Sequence, residues 1–288
     1  MRGALLVAGL TLREALRKRL VVALLILTAI FIGFYLYGVF RLESTLLARA
    51  AELGLDRAPR AAQRSYAFMT LLGMYLVNFL ASLMAVLSAV GSVSGDIESG
   101  VMQSIAYRPV PREQYVLGRW LGFALINAGY VVLLSVGLLF GTHLITGFLP
   151  PDPVPAVALM VLSTLLLLTL TVLGSSVFTT LASGIGVFLL YGIGWTGGFL
   201  KTLGVATDAP TLTRLGHVAS VLMPADDLWK GASNYLLTEE IRQVLNLSGG
   251  FIPFFGTQPP SVGTLLWTAA YMLLALVLAC LAFRRRDL

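Results

Sequence analysis

Charged side chains are scarce in this chain. Asp, Glu, Lys and Arg make up 12% of its 288 residues, about half of what a soluble domain carries. That scarcity excludes a soluble fold. Hydrophobic residues are 57% of the sequence, more than an interior of this size encloses, so lipid must solvate the remainder. The mean hydropathy of +0.86 says the same. A single cysteine, Cys280, excludes an intrachain disulfide framework and a thiolate metal site. The two histidines, His143 and His217, stand far apart with no carboxylate or thiol at ligand spacing, so no metal site is expected. His143 reads as an interface residue with its ring in headgroup water. There is no Gly-x-x-x-x-Gly-Lys-Ser/Thr phosphate loop and no Gly-x-Ser-x-Gly elbow. The chain therefore has no evident means of hydrolysing ATP itself, and no catalytic residue or bound cofactor is assigned. The net charge of +6 is carried by short basic clusters beside apolar runs, which is a poor pattern for nucleic acid and a good one for a membrane flank.

Six apolar runs remain, at roughly 20–40, 67–93, 120–145, 154–173, 185–203 and 264–283. About 20 residues at 1.5 Å each cross about 30 Å of hydrocarbon. The expected fold is all-α: one polytopic membrane domain over 1–288 with six transmembrane helices. The fourth and fifth runs meet at 174–184, which carries Ser175, Ser176, Thr179, Thr180 and Ser183 without a charge and reads as a short turn. Residues 1–19 set Leu5, Leu6, Ala8, Leu12, Ala15 and Leu16 against Arg13, Arg17 and Lys18 at a helical period. This predicts an amphipathic helix lying on the inner leaflet, or more plainly a basic flank to the first span. Basic clusters at 17–19 and 284–286 place both termini in the cytoplasm. Arg41, Arg49, Arg57, Arg60 and Arg64 in the first outer loop argue the other way.

Within the runs there is no Asp, Glu or Lys at mid-depth, which disfavours an ion-coupled carrier, since such carriers keep ionisable groups inside the bundle. Asn78 and Asn127 are the most polar side chains there, available to bond across helices or to touch a substrate. Ala81, Ala85 and Ala89 form a small-residue stripe on the second run, and Gly194 with Gly198 forms a Gly-x-x-x-Gly on the fifth. Both patterns predict close helix packing, and the second suits either a deformable element or a subunit interface. The outer segment 204–263 contains a helix start at 224–230, with Asp226 and Asp227 at its positive end, and an apolar aromatic piece at 251–255 suited to the outer interface. It offers a gate, a lid or a docking surface for an extracytoplasmic partner.

The loop between the second and third spans, 94–115, is the most informative stretch. A short amphipathic helix over about 98–107 is expected, halted by Pro109, with Pro111 and Arg112 reopening a helix into the third span. Glu98, Gly100, Pro109, Arg112, Gly118 and Arg119 match the first cytoplasmic loop of the ABC-2 type permease family, which this chain resembles over its whole length. The basic amphipathic start and the ending Phe283-Arg284-Arg285-Arg286 are also similar. Its general likeness is to the export branch that includes subunits linked to multicopper-enzyme maturation. The resemblance implies a non-catalytic permease subunit of an ATP-binding-cassette exporter in the cell (inner) membrane. It would pair with a second copy or a relative and be driven by cytoplasmic ATPase subunits that hold the ATP and Mg. It also implies that the loop is a cytoplasmic coupling helix, with Asp96, Glu98, Gly100 and Arg112 as ATPase-contact residues, and that the interfacial helix bearing Arg13 and Arg17 lies alongside. The alternative for these residues is that they cap and terminate a solvated loop helix. The alternatives for the whole chain are a stand-alone carrier or channel, and a membrane anchor or assembly factor without transport.

Overall fold

The computed structural model describes residues 2–15, 17, 19–52, 54, 60–98, 100, 111–247 and 254–285. Eleven helices and no strand occur among the described residues. They are α1 (Arg2–Ala15), α2 (Arg19–Glu52), α3 (Arg60–Ala89), α4 (Ser94–Glu98), α5 (Arg112–Thr146), α6 (Pro153–Val177), α7 (Thr180–Ala206), α8 (Pro210–Leu222), α9 (Ala225–Leu236), α10 (Glu239–Leu247) and α11 (Val262–Arg284). Six of them, α2, α3, α5, α6, α7 and α11, are long and apolar enough to cross a membrane. Their number and order agree with the expected all-α, multi-pass architecture.

Local chemistry sets the helix ends. Pro111 precedes α5 and Pro153 opens α6, where a missing N–H does no harm. Gly147 ends α5 in the left-handed region at φ 70°, its N–H returning to His143 O at 2.8 Å, a conformation that glycine adopts without strain. Ser261 caps α11, accepting from Thr264 N at 3.0 Å. The uncharged stretch 174–184 breaks at Phe178 and Thr179, between α6 and α7.

The centre of the bundle is α6, packed by α3, α5, α7, α9 and α11. Three of its buried hydroxyls return to their own backbone: Thr164 to Met160 O, Thr171 to Leu167 O and Ser176 to Val172 O, each at 2.7–2.8 Å. In a lipid-solvated bundle this is how a polar side chain avoids an unpaired donor. Ala81, Ala85 and Ala89 are fully buried on α3. Both chain ends lie at one end of the bundle, hereafter the terminus face, where α1 packs on the first turns of α5 and Arg284 ends α11 beside Arg112.

The opposite end, the far face, carries α8, α9 and α10. α8 folds back along α7, seating Thr213 on Gly204, Ala219 on Gly197 and Met223 on Gly194. Between Gly204 and Gly194 that return covers about 15 Å of helix axis. Leu215, Val218 and Val221 face outward on α8, each more than half exposed, so part of the 204–263 segment is a helix packed along α7 with apolar residues on its outer side.

Candidate functional site

At the terminus face, α1 lies in a groove cut by two glycines of α5. A Cβ on Gly118 would stand 2.6 Å from Val7 Cβ and 2.7 Å from Ala4 O, and one on Gly122 would stand 2.7 Å from Thr11 Cβ. Only the missing side chains let the two helices approach this closely. Ala4, Thr11 and Ala15 are buried by the contact, whereas Arg13 and Arg17 stay exposed. The amphipathic segment is thus a docked helix with a basic outer side.

Arg119, one turn into the same groove, is 6% exposed. Its Nη1 donates to Glu14 of α1 and its Nη2 to Asp96 of α4, while Nε donates to Tyr115 Oη at 3.0 Å. Tyr115 Oη donates in turn to Asp96, and the Tyr115 ring stacks on Phe283 of α11 with centroids 5.8 Å apart. A planar guanidinium with several fixed donors can bind two carboxylates and a phenol at once, which a lysine cannot. The result fastens α1, α4 and α5 through one buried cation, with α11 held by the Tyr115 ring.

The residues singled out from the sequence divide around this cluster. Asp96 turns inward, with a side chain 15% exposed and held by Arg119 and Tyr115. Glu98 is exposed, and its two oxygens accept from Thr180 N and Thr180 Oγ1, both at 3.1 Å, at the start of α7. Gly100 is exposed at φ +74°. Arg112 is exposed and donates to Arg284 O at 3.0 Å. The expected helix over 98–107 falls mainly on 101–110, outside the described residues. Glu14, Tyr115 and Thr180 were not singled out. The signals were present: Glu14 is the only acid before Glu43, and Tyr115 and Arg119 are spaced i, i+4.

The other candidates are placed inside the chain. Asn127 Nδ2 donates to Ser88 Oγ at 3.1 Å, joining α5 to α3, while Asn78 is buried with its Oδ1 unpartnered. Gly194 and Gly198 are covered by α8 and α9 of the same chain, with Met223 on Gly194 and the Asp226 carboxylate in the notch at Gly198. The subunit-interface reading of that motif is replaced by intrachain packing.

That notch holds charges that the apolar runs do not show. Lys230 Nζ lies 3.0 Å from Asp226 Oδ2, yet it donates to Gly198 O at 2.7 Å and Thr202 Oγ1 at 3.2 Å, and Asp226 Oδ2 accepts no hydrogen bond. Burial pushes the Asp226 carboxyl up to about 6, with Lys230 opposing and Asp227 adding to the rise. Tyr75 packs against the rings of Trp229 and Phe255, and Trp195 stacks on Phe254. A cavity of about 450 Å³ opens between α7, α9 and the strap 255–261, lined among others by Lys201, Val205, Asp227 and Gln258. Among the described residues no three metal-ligating side chains come together.

In comparison with known proteins, the family described as ABC-2 family transporter protein matches residues 5–288. No curated protein matches the chain significantly.

Proposed function

Because this chain belongs to the ABC-2 transporter family, whose members are membrane components of ATP-binding-cassette exporters, we propose that it is the non-catalytic permease subunit of such an exporter. Its terminus face is the cytoplasmic face, and a separate ATPase docks there. The observation that carries this reading is the Arg119 cluster. A surface that receives force must move as a unit, and one buried guanidinium joins α1, α4 and α5 at that end, with Tyr115 beside it stacking on α11. The orientation is supported by the exposed Arg13, Arg17, Arg19, Arg112, Arg284 and Arg285 gathered there, as cytoplasmic flanks require. The contact surface comprises the exposed residues Glu98, Gly100 and Arg112 with the basic side of α1. Asp96 supports it from within. A second copy or a relative completes the translocation unit, and the ATP and Mg belong to the ATPase.

Affinity purification of the full chain from its native membrane tests the reading. A stoichiometric ATPase that hydrolyses ATP in the purified complex is the expected result. Accumulation of a solute against a gradient by the chain alone, reconstituted in liposomes, would overturn it in favour of a stand-alone carrier.

A further inference from the structure

Two cavities toward the far face meet at Leu149, away from both the Arg119 cluster and the charged notch on α7. The first is polar, about 390 Å³ in volume, and lies between the C-terminal part of α2, the first turns of α3 and the 146–149 turn that closes α5. Glu43, Gln63 and Tyr66 line it together with Thr146 and Phe148. Tyr66 is only 4% exposed. Its phenol and the Glu43 carboxylate act on each other electrostatically, yet Tyr66 Oη and Glu43 Oε2 are both buried without a hydrogen-bond partner among the described residues. Arg64, beside Gln63 in sequence, lies 3.6 Å from Glu240 instead. The carbonyl end of α5 borders the same cavity, and that end of a helix carries partial negative charge. Buried polar atoms are almost always partnered. What this cavity lacks is a positive group with several N–H donors, which would satisfy the two open oxygens and offset the carboxylate charge as well.

The second cavity is a groove of about 710 Å³ between α5 and α6. Val132, Val136 and Phe140 of α5 stand opposite Val154, Val157 and Val161 of α6, and His143 is the one polar side chain on its walls among the described residues. Val136, Phe140 and Val154 are each more than half exposed, so the groove opens outward from the bundle. From Val132 to His143 it follows about 16 Å of helix axis, close to half of the roughly 30 Å hydrocarbon thickness. That is the length of chain held by one leaflet. In sequence, Glu43 falls just past the first apolar run and His143 just before the end of the third, so both polar groups come where apolar spans give way to headgroups.

We propose that these two cavities together bind a phospholipid with a primary ammonium headgroup. The ammonium enters the polar cavity and donates to the Glu43 carboxylate and Tyr66 Oη. The acyl chain lies in the groove between α5 and α6, and the His143 ring donates to the phosphate between them. Any lipid tail can fill the apolar groove, so selectivity comes from the headgroup cavity, whose open acceptors call for N–H donors and not for charge alone. A quaternary ammonium offers none. The site stands whichever partner meets the terminus face.

The test uses the full chain, purified and delipidated in detergent, and reads apparent affinity from the rise of its melting temperature with added ligand. The probes are dioctanoyl phosphatidylethanolamine, dioctanoyl phosphatidylcholine and chain-free phosphoethanolamine. The parent should bind the ethanolamine lipid at least about tenfold more tightly than the choline lipid, the scale of hydrogen bonds to a charged group, and should not respond to phosphoethanolamine over the same range. Glu43→Gln, which keeps the shape and removes the charge, should abolish most of that preference and leave the choline lipid unchanged. Tyr66→Phe should reduce the preference about fivefold, the scale of one hydrogen bond, and carries the test if Glu43→Gln folds poorly. Val136→Trp, which fills the groove, should weaken both lipids alike. Equal affinities for the two lipids in the parent, an undiminished preference in the Glu43 and Tyr66 variants, or unchanged binding in Val136→Trp overturns the site. A response to phosphoethanolamine equal to that of the lipid overturns lipid occupancy in favour of a soluble amine.

Discussion

Arg119 and Glu14 are 105 residues apart in sequence and bonded in the structure. Glu14 sits near the end of α1, and Arg119 sits in the second turn of α5. Their contact fastens α1 to the bundle. With Asp96 on the other side of the guanidinium, the same cation also fixes where α4 stands. A guanidinium stays charged in any protein environment, so its burial depends on the carboxylates that face it, Asp96 above all.

Removing this cation should therefore have a graded effect. Arg119→Met leaves the nearly buried Asp96 carboxylate unpaired and should destabilise the chain by about 3–5 kcal/mol. Glu14→Gln should cost about 1 kcal/mol or less, because the Glu14 side chain is 44% exposed and its charge is screened. Thermal unfolding of the detergent-purified chain ranks the two. Equal losses, or a smaller loss for Arg119→Met, would contradict the cluster.

The seat of α1 makes a separate expectation. Gly118→Val inserts atoms where Val7 Cβ and Ala4 O already stand, and no rotamer of valine avoids both. α1 should leave the groove, exposing Thr11, which is 1% accessible when docked. Maleimide labelling of Thr11→Cys, slow in the parent and at least about tenfold faster with Gly118→Val, the scale of about 1.4 kcal/mol in the docking equilibrium, would show it. An unchanged rate would mean that the groove is not what holds the helix.

Much of this architecture was legible in the sequence. The scarcity of charge and six apolar runs dictate the number of spans, and Pro111 marks the start of α5 by chemistry that acts within a few residues. What was not legible depends on contacts between distant segments. Arg119 fitted the loop pattern, but nothing local identifies Glu14 as its partner. Glu98 and Asp96 look alike in a loop that reads as solvated, yet one caps α7 and the other turns inward. The absence of acids and lysines at mid-depth in the runs was a correct local observation. It did not foresee that α9 would carry Asp226 and Lys230 onto Gly198, because that pair arrives from outside the runs. The glycines of α7 signalled close packing without saying whether the partner was another chain or the next helix.

Asn127 separates a structural polar residue from a substrate contact. Its side chain bonds Ser88 Oγ and its own helix at Phe123 O, and it is fully buried. Interhelical hydrogen bonds in membranes are worth about 0.6 kcal/mol on average, so Asn127→Ala should lower stability by about 1 kcal/mol once the small cavity is added. ATP turnover in the assembled complex should keep its response to whatever solute stimulates it. A lost response at full stability would move Asn127 from packing to substrate recognition.

The buried Asp226 sets a pH dependence whose sign can be worked out. Its carboxyl is raised from 3.8 to about 6 in the folded chain, with desolvation the leading cause and Lys230, Lys201 and Asp227 the charged groups that act on it. A raised folded value means that the folded state binds the proton more tightly than the unfolded one. The contribution of this group to stability therefore rises as pH falls from about 7 toward 4, and ionisation above about 6 works against folding by an amount of order 2–3 kcal/mol. Asp226→Asn abolishes the titration while keeping the shape of the side chain in the Gly198 notch, and Lys230 keeps its bonds to Gly198 O and Thr202 Oγ1. The wild type should therefore gain stability relative to Asp226→Asn between pH 7 and pH 4.5, read as the difference of their melting temperatures at each pH. A difference that stays flat, or one that moves in favour of the variant on acidification, would show that the Lys230 charge outweighs desolvation and holds Asp226 ionised throughout that range.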